Sequence, residues 1–131
     1  MKLLKALSAL IYLGIFATGC EDILEVPDIS GRQVEIVAPK DRVVVENSQV
    51  NFTWNGVADA DSYSVQIARP NFREAAQILL DSTIVLDSTF IGTKAIKNLD
   101  NGDYEWRVKA LNSDFRTEFS SSAFKVEASA N

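Results

Sequence analysis

The stretch Asn101-Gly102-Asp103-Tyr104-Glu105-Trp106-Arg107-Val108-Lys109-Ala110 constrains this chain more than any other. Side chains along a strand alternate between two faces, so Tyr104, Trp106, Val108 and Ala110 share one face. Glu105, Arg107 and Lys109 share the other. A strand divided in this way buries one side and wets the other, which is the habit of antiparallel sheets. The Asn-Gly pair ahead of it predicts a tight turn, because such turns need positive φ.

The rest of the chain supplies partners for that strand. Val34-Glu35-Ile36 alternates and ends before Pro39, Val43 to Val45 is a short continuation, and Val50 to Trp54 alternates until Asn55-Gly56 stops it. Tyr63 to Ile67 alternates again. Arg69 to Ala76 interrupts, with a helical turn expected over Phe72 to Ala76. Gln77 to Leu86 is apolar and β-branched with a kink or turn expected at Asp81-Ser82. A weaker strand is expected over Thr89 to Ile96, and Ala123 to Val126 is the last. Seven or eight short strands separated by turn signals predict an all-β antiparallel sandwich. Its core is expected to hold Trp54, Tyr63, Val65, Tyr104, Trp106, Val108, Phe124 and Val126. Charges of both signs on the outer faces are expected to discourage pairing at sheet edges.

The N-terminal stretch has another character. Lys2 and Lys5 precede an apolar run from Ala6 to Phe16, then the small residues Ala17-Thr18-Gly19, then Cys20. This reads as an export signal over 1–19. Positions 6–20 hold 15 uncharged residues, short of the ~20 that a membrane-spanning helix needs. Cys20 is the only cysteine, so no internal disulfide is possible. Residues 20–33 read as a tether, charged by Glu21, Asp22, Glu25 and Asp28 and broken by Pro27 and Gly31. The domain is then 34–127, with a tail at 128–131.

Ala17-Thr18-Gly19-Cys20 resembles the lipobox of bacterial lipoproteins, with Ala17 where leucine is usual. The resemblance implies that Cys20 is acylated, becomes the first residue, and ties the chain to a membrane. Several acyl chains on one residue anchor stably where a single chain is marginal. It places the protein at the outer membrane of a Gram-negative bacterium, on either the cell-surface or the periplasmic side. The acidic residues after Cys20 resemble export signals for the outer face, and read equally well as a solvated linker. From Val34 to Glu127 the chain resembles the fibronectin type III domain. Ile36-x-x-Pro39, Phe52-Thr53-Trp54, Ala60 to Ile67 and Leu99-x-x-Gly102-x-Tyr104-x-Trp106-Arg107-Val108-x-Ala110 carry the likeness. It implies Trp54 in the core and Tyr104 at a tyrosine corner, its hydroxyl bonded to nearby backbone. The chain departs from the pattern in the insert Arg69 to Ala76 and in lacking the proline before the corner.

The residue inventory excludes much chemistry. There is no histidine to activate a nucleophile or bind a metal. Asp59 with Asp61, and Asp100 with Asp103, lie in predicted turns, where aspartate is a common turn former. Asp100-Asn101-Gly102-Asp103 lacks the spacing and terminal glutamate of a calcium loop, so no metal or cofactor is expected. A net charge of −5, falling to −7 once Lys2 and Lys5 leave with the signal, disfavours nucleic acid. Asp81-Ser82-Thr83 and Asp87-Ser88-Thr89 resemble bacterial O-glycosylation triplets and read equally as turns. Asn51-Phe52-Thr53 reads as strand. Two loop aromatics beside arginine remain as candidate contacts, Phe115 with Arg116 and Phe72 with Arg73. The expected protein is not an enzyme. It is a lipid-anchored binding or spacer module touching protein or glycan partners through loops. The alternative is an accessory subunit of a surface glycan-capture or degradation system.

Overall fold

The computed structural model describes residues 25–86 and 92–129, and Cys20 and Asp87-Ser88-Thr89 lie outside them. Eight strands follow one another: β1 (Ile36–Ala38), β2 (Val43–Val45), β3 (Gln49–Trp54), β4 (Ser62–Arg69), β5 (Gln77–Val85), β6 (Lys94–Asn98), β7 (Gly102–Leu111) and β8 (Ser120–Val126). They form two sheets, β1-β3-β6 and β2-β8-β7-β4-β5. All pairs are antiparallel except β2 with β8. The parallel pair arises because β1 and β2 are successive parts of one edge run divided at Pro39. Proline has no N–H to continue a ladder, so the chain changes sheet there without reversing. Pro39 O accepts from Trp106 Nε1 at 3.0 Å and from Ser122 Oγ at 2.8 Å, which fixes the crossing.

Alternation delivers the core. Trp54, Tyr63, Val65, Ile67, Tyr104, Trp106, Val108, Ala110, Phe124 and Val126 are buried between the sheets with Val50 and Phe52. Phe52 is central, meeting Trp106 edge-on at 5.0 Å and Phe124 at 5.6 Å. Such pairs add ~0.5–1.5 kcal/mol each beyond their buried area. Tyr63 Oη accepts the Val57 N–H at 2.7 Å, and Tyr104 Oη donates to Asp100 O at 2.6 Å. The second bond spans four residues and closes the tyrosine corner without a proline.

Three expectations change. Asp81-Ser82 is not a turn: β5 runs through it, because Gln66 and Val65 of β4 pair with these two residues in register. β6 begins at Lys94, later than expected, and residues 72–76 form turns with no helix. The Asn101-Gly102 connection leads from β6 in one sheet to β7 in the other. Gly102 has the positive φ expected of it. Its φ is +155°, and a Cβ there would lie 2.8 Å from Arg69 Nη2.

The packed body also starts earlier than residue 34. Ile29 is fully buried in the core. The turn around it is held by Arg32 N–H to Ile29 O at 2.9 Å, and by Ser30 N–H and Oγ, both donating to Asp28 Oδ1. Those two bonds keep the Asp28 carboxyl below its ordinary pKa. Arg32 reaches Asp59 Oδ2 at 3.1 Å, and Asn112 Nδ2 donates to Pro27 O at 2.8 Å. Of the stretch 20–33 expected to be a tether, residues 27–33 therefore belong to the packed body. From Cys20 to Pro27 is seven steps, a reach of at most ~25 Å.

Candidate interaction surface

The sandwich has two distinct ends. Pro27, the Val57–Asp61 turn and the Asn112–Glu118 loop meet at one, where the Asp61 N–H bonds Leu111 O at 2.7 Å. The Asn98–Gly102 connection and the Arg69–Gln77 insert lie at the other, where the Ala128 N–H bonds Asn101 Oδ1 at 2.8 Å. The ten residues of β7 separate them by ~33 Å.

The Asn112–Glu118 loop folds onto its own end of the core. Asn112 Oδ1 accepts from the Asp114 and Phe115 amides at 3.1 and 2.8 Å. Its own amide donates to Phe115 O at 2.9 Å. Phe115 is half-buried and packs against the core cluster, while Arg116 is exposed. Thr117 is buried, its Oγ1 accepting from the Ala110 N–H at 3.0 Å.

The insert behaves differently. It lies over the outer face of the five-stranded sheet, where the Phe72 N–H bonds Glu105 Oε1 at 2.9 Å. Arg107 Cζ stands 4.0 Å from the Phe72 ring centre and 4.3 Å from that of Phe119, so its guanidinium is flanked by two aromatic rings. Lys109 Nζ is 4.5 Å from the Phe119 ring. Arg107 Nε donates to Gln66 Oε1 at 2.7 Å, and Gln66 Nε2 donates to Asp81 Oδ1 at 3.1 Å. The contacts thus run from β5 through β4 and β7 to the start of β8. Each cation–ring contact contributes ~0.5–1 kcal/mol at a partly exposed site. The Arg107 Nη groups have no carboxylate partner among the described residues. Arg73 is exposed beside Phe72.

Phe119 was not among the residues that the sequence singled out. Its signal lies in the register. Val126, Phe124 and Ser122 face inward, so Phe119, Ser121 and Ala123 face outward, and Phe119 falls opposite Lys109. Among the described residues no group of three or more metal-ligating side chains comes together. Asp59 is engaged with Arg32, and Asp103 lies 4.0 Å from Lys125.

No protein-family model matches the chain, and no curated protein matches it in sequence. Solved structures do. The fibronectin(III)-like modules of CbhA from Clostridium thermocellum superpose with a TM-score of 0.52 at 15% identity, covering 75% of this chain and 100% of that one. CopC from Methylosinus trichosporium OB3b gives 0.45 at 16% identity, covering 76% of this chain and 98% of that one, an overlap too loose to bear on fold or function. The first likeness is one of fold: this chain is a fibronectin type III-like sandwich.

Proposed function

We propose that this protein is a non-catalytic binding and spacer module of the cell envelope, held by lipid on Cys20. The observation that carries the reading is the polarity of the sandwich. The chain enters beside Asn112 and leaves beside Asn101, ~33 Å away along β7. A tether of at most ~25 Å then keeps the Asn112 end near the membrane and leaves the insert end free to reach a partner. Of the two candidate loops, the insert bearing Phe72 and Arg73 is therefore the better placed. Phe115 serves the core, and its loop lies at the tethered end.

The reading does not depend on an active site. On the outer face, Asp81 and Arg107 are tied together through Gln66, and Arg107 is flanked by the two phenylalanines. Such a surface suits recognition, in which arginine and aromatic residues are frequent anchors. Growth with an alkyne fatty acid tests the anchor. Label is expected on the wild-type protein and absent from Cys20→Ala. Equal labelling of both would end the lipid-anchor reading.

A further inference from the structure

β5 is the outermost strand of its sheet, and among the described residues nothing pairs with its free side. The other three edges are protected. β1 and β2 have three residues each, β1 with a register shift, and β6 has five with two lysines. β5 has nine residues, no lysine, arginine or proline, and a single charge at Asp81. Ile78 and Val85 are 52% and 62% exposed. The mixed charges expected to guard every edge are missing here, and a long apolar edge is a template for a further strand.

The register tells which backbone groups β5 offers. Ala110 exchanges bonds with Thr117, so it faces β8. Lys109, Arg107 and Glu105 then face β4, opposite Ser64, Gln66 and Ala68. On β4 this leaves Tyr63, Val65 and Ile67 facing β5, opposite Ile84, Ser82 and Leu80. The Leu86 N–H to Asp61 O bond at 2.8 Å keeps the same phase. Asp81, Thr83 and Val85 therefore turn their N–H and C=O groups away from β4. Their side chains are exposed as well, while Leu80, Ser82 and Ile84 are half-buried on the core side. The shift between Ile67 and Ala68 lies beyond Leu80, so the ladder from Leu80 to Val85 is regular.

The geometry points to β5 as an acceptor edge that takes an extended segment of another polypeptide as a sixth strand of this sheet. The segment bonds to the backbone of Asp81, Thr83 and Val85. It sets apolar side chains beside Leu80 and Ile84 on the core side, and a lysine or arginine beside Asp81 on the outer side. A second copy is a poorer occupant. Two copies related by a two-fold axis would pair antiparallel and send their Pro27 ends in opposite directions. With the strands upright, a ~25 Å tether cannot span a ~33 Å sandwich to reach the same membrane. This choice of occupant rests on the lipid anchor proposed above, whereas the acceptor edge itself does not.

The test uses the full chain in lipid vesicles and a fluorescent acetylated octapeptide, Thr-Val-Lys-Val-Thr-Val-Lys-Val. Binding is expected for the wild type, with at least a tenfold loss for Thr83→Pro. Thr83 makes no bond to β4, so proline there removes an outward N–H alone and should keep the melting temperature within a few degrees. Should Thr83→Pro fail to fold, the wild type is tested with the peptide N-methylated at alternate amides. Methylation in one phase should abolish binding and in the other should spare it. No binding to the wild type, equal binding to Thr83→Pro, or equal binding of both methylated peptides would overturn the acceptor edge. Efficient disulfide cross-linking of Thr83→Cys to itself in the vesicles would overturn the foreign strand in favour of a second copy. Fatty-acid labelling reports on the anchor independently of the peptide.

Discussion

Trp54 and Trp106 lie 6.2 Å apart in one core, yet they are held differently. Trp106 Nε1 donates to Pro39 O, whereas Trp54 Nε1 is buried without a partner among the described residues. Replacing each by phenylalanine removes similar volume, but only Trp106→Phe also breaks a hydrogen bond. Trp106→Phe should therefore cost ~1 kcal/mol more than Trp54→Phe in urea unfolding. Tyr104 carries the other residue-scale prediction. Burial pushes its phenol above the ordinary value, the Asp100 carboxylate adds to this, and the Arg69 guanidinium offsets part. The folded state thus prefers the neutral phenol. That stabilisation is complete below pH 10, the unfolded value, and is lost as pH climbs through the raised folded value. Melting temperatures followed from pH 8 to 11 should fall for the wild type above pH 10, and Tyr104→Phe should flatten that decline. These residues were legible from alternation alone, because a large ring amid polar neighbours has only one face to take. Their hydrogen bonds were only partly legible. The corner bond of Tyr104 followed from the family likeness, but the Trp106 bond depends on Pro39, 67 residues away.

At the level of elements, local and tertiary preferences conflict in two places. Asp81-Ser82 favours a turn, yet both residues continue β5 because six successive β4 residues hold Leu80 to Val85 in register. Cross-strand pairing outweighs a turn propensity of this size. The segment before β1 is the second case. Asp28, Pro27 and Gly31 gave 27–33 the look of a linker, and Ile29 is the one large aliphatic residue within it, too little to make a period. Its burial makes 27–33 part of the domain. Ile29→Ala should accordingly lower stability by ~2–4 kcal/mol in urea unfolding, whereas truncation before Pro27 should change it by less than ~0.5. Equal and negligible effects would return residues 27–33 to the tether. Phe119 fell between two patterns. It precedes the alternation of β8, and only the pairing of β8 with β7 shows that it faces Lys109 and flanks Arg107.

For the whole molecule the decisive property is direction. Composition and strand spacing conveyed a sandwich, and the first 20 residues are the basis of the proposed anchor. Which end of the sandwich lies near that anchor depends on Asn112 meeting Pro27, a contact across 85 positions that no local pattern encodes. The central claim is that Cys20 holds the Asn112 end toward the membrane and leaves the insert end free. Energy transfer in vesicles tests it most directly, with the donor dye on Asp114→Cys or on Arg73→Cys and the acceptor on lipid headgroups. Cys20 is the only native cysteine, so with lipid on it, as proposed, the introduced thiol is the one left to label. Transfer should be stronger from position 114 than from position 73, since Asp114 lies in the loop beyond the far end of β7 while the insert packs toward its start and middle. Equal transfer from both, or stronger transfer from position 73, would contradict the account.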